Sequence, residues 1–311
     1  MSDPRAEAFE RLGGRYETRV LEPSPPALGE PPWFADDPVD RGTVPTGRLL
    51  VSPVSTGDLL WEELTAGDEQ LAGWCSERWL AAYRRLGAPP ATLAQTRLAL
   101  HRLAEQVLSP ARQKANGKIA LRYTRGGFGT PFFGEDVQLR VLGDELIVQR
   151  DGTERAAPIS TLRAAADHIG RDLLPDDLKP DEKPLEVDPA ASRYLGDWYG
   201  LGCSVLETIR ADARAADPSR VQLWAEHFDI AVELGSEQAG QRAGYGFSPG
   251  DELHAEPYVY VVPWVAPSPG ELWQARGFDG AELSFAELDR AADQRGLALE
   301  FVRARLQALV G

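Results

Sequence analysis

Two histidine–carboxylate pairs are the residues of this chain with the clearest capacity for chemistry. The chain contains four histidines, and two of them, His227 and His254, lie within the segment 220–264. Each stands two residues before a carboxylate, Asp229 in the first pair and Glu256 in the second. Neutral imidazole nitrogens combined with carboxylate oxygens suit a divalent ion such as zinc, iron or manganese. The same side chains also transfer protons in many enzymes.

Alternation along two predicted strands favours a shared surface for these groups. In the run HFDIAVEL apolar and polar residues alternate, so His227 and Asp229 are expected on the polar face. In HAEPYVYVV the same alternation groups four residues, namely His254, Glu256, Tyr258 and Tyr260. Pro257 limits ladder hydrogen bonding, so the start of this run is expected in a loop that enters the strand.

Three interpretations of this surface are open if the two strands are neighbours. The groups form a divalent-metal site at His227, Asp229, His254 and Glu256, or a histidine acts as general base while a carboxylate orients it. Alternatively, the pairs satisfy one another structurally at a sheet edge. The spacing is not diagnostic of any of the three. Asp251 adds a carboxylate three residues before His254, and Tyr258 and Tyr260 add polar tips for a ligand.

Two glycine-rich segments carry an arginine that could meet a ligand. Arg125 precedes Gly-Gly-Phe-Gly, and Arg242 precedes Ala-Gly-Tyr-Gly, so the two segments echo each other. Backbone amides in such a loop can approach an anion, with the arginine supplying charge. The first loop follows a strand but precedes no helix, so it lacks the context of a nucleotide-binding loop. A bulge or tight bend in a sheet is the favoured interpretation.

Charge and composition exclude several classes of partner. The formal net charge is −15 at pH 7, which argues against nucleic acid and against an anionic membrane surface. No apolar run approaches the roughly 20 residues that a membrane helix needs. The N-terminus lacks the basic and apolar regions of a secretory signal, so a cytoplasmic location is expected.

The order of predicted elements indicates an α+β fold with two halves. Residues 1–48 are rich in proline and are expected to form an extended arm. Residues 49–173 form the first half, 174–189 an acidic linker, and 190–311 the second half, packed together as one compact unit. Each half runs from helix to antiparallel strands to helix, which suggests a duplicated plan.

Local signals place the ends of several helices. Thr92 with Gln95, and Ser284 with Glu287, have capping-box spacing. Asp188 before Pro189 predicts the start of a long helix, and the pattern over 67–86 predicts an earlier one. Glycines at 196, 200 and 202 predict close backbone packing or a break in the long helix. Gly143-Asp144 predicts a tight hairpin.

The chain resembles a group of conserved actinobacterial proteins of unknown function. The similar blocks are LRYTRGGFGTPFFG with PISTLRAAADHIG, and LWAEHFDIAVELG with YGFSPGDELHAEPYVYVVPW. More distantly it is similar to a broader bacterial family with the same order of blocks, which lacks His227. The resemblance covers residues 92–275 and implies the architecture, but no catalytic residues.

Two hypotheses on function follow from these residues. In the first, the protein binds or acts on a small polar molecule around His227, Asp229, Asp251, His254 and Glu256, with or without a divalent metal. In the second, the pairs are structural, and the protein meets a protein partner through a sheet edge or the proline-rich arm.

Overall fold

The computed structural model describes residues 20–21, 49–50, 69, 85–124, 126–131, 133, 137–150, 153–210, 212, 214–267 and 270–311. Two five-stranded antiparallel sheets and the helices packed on them make up most of this part of the chain. The predicted α+β class with two antiparallel sheet-and-helix halves is therefore confirmed. The predicted arm and the predicted helix over 67–86 lie almost entirely outside the described residues. In the N-terminal part of the chain the structure describes a short pair of strands, β1 (Val20–Leu21) and β2 (Leu49–Leu50).

The first half opens with a long helical segment. Helix α1 (Leu93–Leu103) passes through a π-helical turn (Ala104–Leu108) into α2 (Ser109–Asn116). Thr92 is the residue before α1, but its side chain makes no capping hydrogen bond. Gln95 donates to Glu186 instead, so the predicted capping box does not form here.

The first sheet is a meander in which each strand pairs with its neighbours in sequence. Its strands are β3 (Arg122–Thr124), β4 (Gly127–Gly129), β5 (Gln138–Leu142), β6 (Glu145–Arg150) and β7 (Thr153–Pro158). The predicted hairpin joins β5 to β6, with Leu142 opposite Glu145 and Gly143 at a φ of 62°. Helix α3 (Leu162–Ile169) and a 3₁₀ turn (Arg171–Leu173) follow.

The long helix α4 (Pro189–Arg210) lies between the two sheets. The Asp188 side chain accepts from the backbone N–H of Ala191 at 2.8 Å, so the predicted start of this helix is confirmed. A Cβ added at Gly196 would collide with the backbone of Gly126 and Gly127. The glycines therefore permit close packing, and the helix runs through them without a break.

The second sheet repeats the meander arrangement. Its strands are β8 (Gln222–Trp224), β9 (Asp229–Leu234), β10 (Ala243–Ser248), β11 (Tyr258–Pro263) and β12 (Ala281–Ser284). Helix α5 (Phe285–Arg290) begins with the predicted capping box of Ser284 and Glu287. The last helix, α6 (Gln294–Val310), includes Gly296, whose N–H bonds the side chain of Asp293.

Among the described residues, one pair of leucines forms a backbone bridge between the two sheets. Leu121 and Leu223 donate their backbone N–H groups to each other's carbonyl oxygens, at 2.7 and 2.9 Å. Aromatic side chains fill the space around α4: the ring centroids of Trp198 and Phe247 are 5.3 Å apart, and those of Tyr199 and Phe128 are 6.3 Å apart. Buried apolar residues of both halves belong to the same core. No helix in the described part of the chain combines the length and apolar character needed to cross a bilayer.

Candidate functional site

The register of the second sheet separates an apolar face from a polar face. Ile230, Phe247, Val259 and Leu283 are opposite one another on successive strands, and all four are buried. This face packs against α4. The opposite face carries the row Ala231, Gly246, Tyr260 and Glu282. Because side chains alternate along a strand, Asp229 and Tyr258 also belong to this second face.

Tyr260 reaches Asp229 by crossing the strand between them. Strands β9 and β11 both pair with β10, so they are not direct neighbours. Gly246 of β10 is opposite Tyr260, and a Cβ at Gly246 would collide with the tyrosine ring. The missing side chain lets the ring lie across β10, and the Tyr260 hydroxyl donates to Oδ2 of Asp229.

The Asp229 carboxyl is buried and only half satisfied. Its residue is 6% exposed, and Oδ1 has no hydrogen-bond partner. Burial raises the pKa of Asp229, and the hydrogen bond from Tyr260 and the nearby His227 offset this only in part. Burial, followed by the charge of Asp229, raises the pKa of Tyr260 well above its usual value. A buried acceptor without a partner costs free energy unless a ligand or water satisfies it.

A strained turn leads into Asp229. Residues 225–228 connect β8 to β9, and Phe228 has a φ of 55°. A bulky residue rarely adopts this left-handed conformation. The buried Tyr199 hydroxyl donates to the Phe228 carbonyl at 2.7 Å, and the ring of His101 stacks on the Phe228 ring at 5.3 Å. The turn that presents Asp229 is therefore held from both α4 and α1.

Trp224 is the cross-strand partner of Asp229. The two residues are opposite each other on β8 and β9, and therefore share a face. Trp224 is half-buried. The two side chains therefore start from adjacent positions on the same face, near the edge of the sheet.

His254 lies between two carboxylates in a second cluster. Its Nδ1 is 3.1 Å from Oδ1 of Asp251, and its Nε2 is 3.0 Å from Oε2 of Glu282. The Tyr258 hydroxyl donates to Oδ2 of Asp251 at 2.6 Å, and the rings of Tyr258 and His254 are 4.3 Å apart. Both imidazole nitrogens therefore have partners within this cluster.

Hydrogen bonds from within the loop and from α1 hold the loop that carries Asp251. The Asp251 side chain accepts from the backbone N–H groups of Leu253 and His254, each at 2.7 Å. Arg97 of α1 donates to the carbonyls of Pro249 and Asp251 at 3.2 and 3.3 Å. Burial raises the pKa of Asp251, but the hydrogen bonds from Tyr258 and from the loop outweigh it and lower that pKa overall. Asp251 is therefore held as an anion that organises the loop.

The structure brings together some of the predicted site residues and separates others. Asp229 contacts Tyr260, and Asp251 contacts His254 and Tyr258. The prediction that His227 lies on a strand face is wrong, because β9 begins at Asp229 and the positive φ of Phe228 interrupts the alternation. His227 is exposed in the turn.

The remaining predicted residues lie apart from these contacts. Glu256 is exposed in the loop before β11, so the prediction that this segment precedes the strand is confirmed. Arg242 bonds Glu233 at 3.0 Å and stacks on Trp264 at 5.1 Å. Arg125 lies outside the described residues.

The sequence assigned no role at the site to six residues that complete the two clusters. They are Arg97, His101, Tyr199, Trp224, Gly246 and Glu282. Trp224 and Gly246 stand inside the segment that the sequence singles out, and strand register alone would have found them. The others come from α1, α4 and β12, and no local pattern connects them to Asp229 or His254.

Among the described residues, no group of three or more histidine, cysteine, aspartate or glutamate side chains is placed to hold a metal ion. The contacts of His254 are hydrogen bonds to Asp251 and Glu282. The chemistry that the described groups support is hydrogen bonding and proton exchange at Asp229. No protein-family model, curated protein or solved structure matches this chain significantly, so the family resemblance remains a prediction.

Proposed function

We propose that this protein binds a small polar molecule at Asp229, on the polar face of the second sheet. The observation that carries the proposal is the Oδ1 atom of Asp229, which is buried and has no partner while Oδ2 accepts from Tyr260. Native proteins satisfy most buried polar atoms, so an unsatisfied carboxylate oxygen calls for a partner, and a bound polar ligand would supply one.

The strained turn supports the same proposal. Backbone strain of this kind costs on the order of 1–3 kcal/mol and concentrates at functional sites. Phe228 keeps its left-handed conformation because Tyr199 and His101 hold it. This arrangement fixes the direction of Asp229, the next residue.

The contacts of His254 indicate that its cluster has a structural role beside the proposed site. Both imidazole nitrogens are engaged, and Asp251 accepts four hydrogen-bond donors from its own loop and from Tyr258. We assign this cluster to holding the loop 249–257 against β12. In this proposal Asp229 contacts the ligand, and His254 holds the loop 249–257 in place on the same side of the sheet.

Ligand-induced stabilisation tests the proposal. The protein, its Asp229→Asn variant and an Asp181→Asn control would be screened by thermal shift against amines, guanidines, amino acids, amides and polyols. Asp181 is suitable as a control because it forms a half-buried ion pair with Arg102, away from the second sheet. We expect at least one compound to raise the melting temperature of the protein and of the control, and to lose this effect with Asp229→Asn. Equal shifts in all three proteins would refute the proposal.

A further inference from the structure

The nature of the ligand can be inferred from the side chains around Asp229, an inference that rests on the proposed function. We propose that the ligand is a small organic cation, an alkylammonium or guanidinium compound, whose charge lies between Oδ1 of Asp229 and the indole ring of Trp224. Three independent features of this edge of the sheet carry the assignment: the free carboxylate oxygen, the adjacent indole, and the sign of the surrounding charge.

The free oxygen of Asp229 can accept a hydrogen bond from a charged donor. Tyr260 already donates to Oδ2, and no described residue donates to Oδ1. A carboxylate that binds an ammonium or guanidinium group makes a charge-assisted hydrogen bond, which is stronger than a neutral one. An anionic ligand would instead be repelled at this position.

Trp224 offers an aromatic face beside that oxygen. Residues opposite each other on antiparallel strands have Cβ atoms roughly 4.5–5.5 Å apart, so the indole is within reach of a ligand bound at the Asp229 carboxyl. In the described part of the chain Arg242 lies over Trp264 and Arg305 over Phe301, whereas no described cation covers Trp224. Tryptophan is the side chain that binds cations best through its ring.

The charges around the site also favour a cation. The carboxylates of Asp251, Glu233 and Glu282 belong to the same region of the sheet and its loop. The whole chain carries a formal net charge of −15, which attracts small cations over longer distances. The arginines of this region have partners of their own: Arg242 bonds Glu233, Arg276 is 4.0 Å from Glu282, and Arg97 is directed to the carbonyls of Pro249 and Asp251.

Titration of Asp229 provides a second readout of the same contact. The groups that face it are Tyr258 and Tyr260 of β11, Tyr199 of α4, His101 of α1 and His227 of the turn. Burial raises the pKa of Asp229. A cation favours the ionised carboxylate, so its binding should release a proton when the pH lies below that raised pKa. A neutral ligand would leave this equilibrium nearly unchanged.

Matched pairs of probes test the charge of the ligand directly. Choline is compared with 3,3-dimethylbutan-1-ol, and 1,4-diaminobutane with 1,4-butanediol, because each pair differs mainly in charge. Binding to the full chain is measured by isothermal titration calorimetry in two buffers of different ionisation enthalpy. We expect at least one cation to bind about tenfold or more tightly than its neutral counterpart, which corresponds to about 1.4 kcal/mol. The enthalpy should differ between buffers, as proton release requires.

Variants locate the bound cation. Asp229→Asn and Trp224→Leu should each weaken binding of that cation by about tenfold or more. Trp224→Phe retains an aromatic ring and should weaken it less, which keeps the test valid if the leucine variant does not fold. Trp264→Leu is the matched control, because Trp264 follows the opposite end of β11, and its affinity should equal that of the unmodified protein.

The alternative outcomes separate this inference from the proposed function. If only neutral compounds bind, and do so through Asp229, the site stands and the cationic ligand is wrong. If cations bind equally well to Asp229→Asn, the cation site is not at Asp229 and the inference fails. If no compound of either charge binds in a way that depends on Asp229, both proposals are overturned.

Discussion

At the scale of single residues, the candidate site depends on a hydrogen bond between two side chains, Tyr260 and Asp229, whose strands are not neighbours. Tyr260 can reach Asp229 only because Gly246, on the strand between them, has no side chain. The bond satisfies one carboxylate oxygen and leaves the other without a hydrogen-bond partner. Asp229, Tyr260 and Gly246 thus depend on one another, although they come from three strands.

Replacing Asp229 by asparagine should change how stability depends on pH. The raised pKa means that the folded protein retains this proton to a higher pH than the unfolded chain does. As the pH rises above about 4, where an exposed aspartate ionises, the unfolded chain loses the proton first and the free energy of unfolding falls. Asparagine cannot ionise, so Asp229→Asn should gain stability relative to the unmodified protein as the pH rises.

Urea denaturation at a series of pH values from 4 to 8 measures this difference. Asp181→Asn serves as the control, because Asp181 lies in a half-buried ion pair and its pKa is lowered by hydrogen bonds, first from Lys183. Its variant should change little relative to the unmodified protein over this range, because a lowered aspartate pKa affects stability mainly below about pH 4. A constant difference between Asp229→Asn and the unmodified protein at all pH values would contradict the buried, proton-retaining carboxyl.

Alanine at Gly246 should be much less tolerated than alanine at Gly244. A Cβ at Gly246 collides with the Tyr260 ring, whereas the nearest atom to a Cβ at Gly244 is the Val262 carbonyl oxygen at 4.0 Å. Overpacking of this kind costs about 1–3 kcal/mol. Gly244 lies on the same face two residues earlier, and alanine there should be neutral or stabilise the strand by up to about 1 kcal/mol. Equal midpoints in urea denaturation for the two variants would show that the Tyr260 ring does not lie across β10.

At the scale of elements, the glycines of α4 set the distance between helix and sheet. Gly196 faces the backbone of the segment that leads into β4, and Gly202 faces Ile230 and Phe247 of the second sheet. One helix therefore approaches both sheets closely, on different sides. The glycines weaken the helix itself by roughly 1 kcal/mol each, and close packing offsets that cost.

Two alanine substitutions in α4 should differ clearly in their effect on stability. Gly196→Ala places a Cβ against the backbone of Gly126 and Gly127, which cannot rotate away, and should destabilise the protein by about 1–3 kcal/mol. Gly200→Ala meets only the side chain of Tyr123, at 3.2 Å, and should be close to neutral because helix propensity compensates. Thermal denaturation of both variants measures the difference. Destabilisation by Gly200→Ala as large as by Gly196→Ala would contradict the close backbone approach.

The elements themselves were largely predictable from local sequence. Alternation predicts that Ile230, Val232 and Leu234 are buried, and all three are. Capping residues predict the starts of α4 and α5. The turn at 225–228 was not predicted, because Phe228 adopts a conformation that favours glycine, and tertiary contacts from Tyr199 and His101 hold it there. Local propensity contains no signal for such contacts.

The site was less predictable than the elements for a related reason. Sequence spacing pairs His227 with Asp229 and His254 with Glu256, whereas the structure pairs Asp229 with Tyr260 and His254 with Glu282. Strand order and register decide these partners, and both depend on the whole sheet. The metal-site hypothesis required the strands that carry the two pairs to be neighbours, whereas β10 lies between β9 and β11.

At the scale of the whole molecule, the two halves share their largest helix. Helix α4 contacts strands of both sheets, as well as α1 and α6. Its aromatic residues Trp198 and Tyr199 pack toward different sheets, against Phe247 and Phe128. The boundary between the predicted halves therefore runs along a packed surface. Whether the halves arose by duplication remains a prediction.

This arrangement predicts that neither half folds alone. A fragment spanning 190–311 would expose the side of α4 that contacts the first sheet, including the approach at Gly196. We expect the full chain to unfold in a single transition in urea, with the same midpoint by circular dichroism and by tryptophan fluorescence. The fragment should show no cooperative transition. A folded, cooperatively melting fragment would show that the second half is independent.

The two backbone hydrogen bonds between Leu121 and Leu223 also affect how one molecule can associate with another through its sheet edges. An edge strand presents unpaired N–H and C=O groups that can recruit a strand from another chain. Strands β3 and β8 end their sheets on the sides that face each other, and at these two leucines each satisfies the other. The outer strands are then β7 and β12, and β7 ends in Pro158, which has no N–H to donate. The contact that joins the sheets thus also makes the β3 and β8 edges less available to a strand from another molecule.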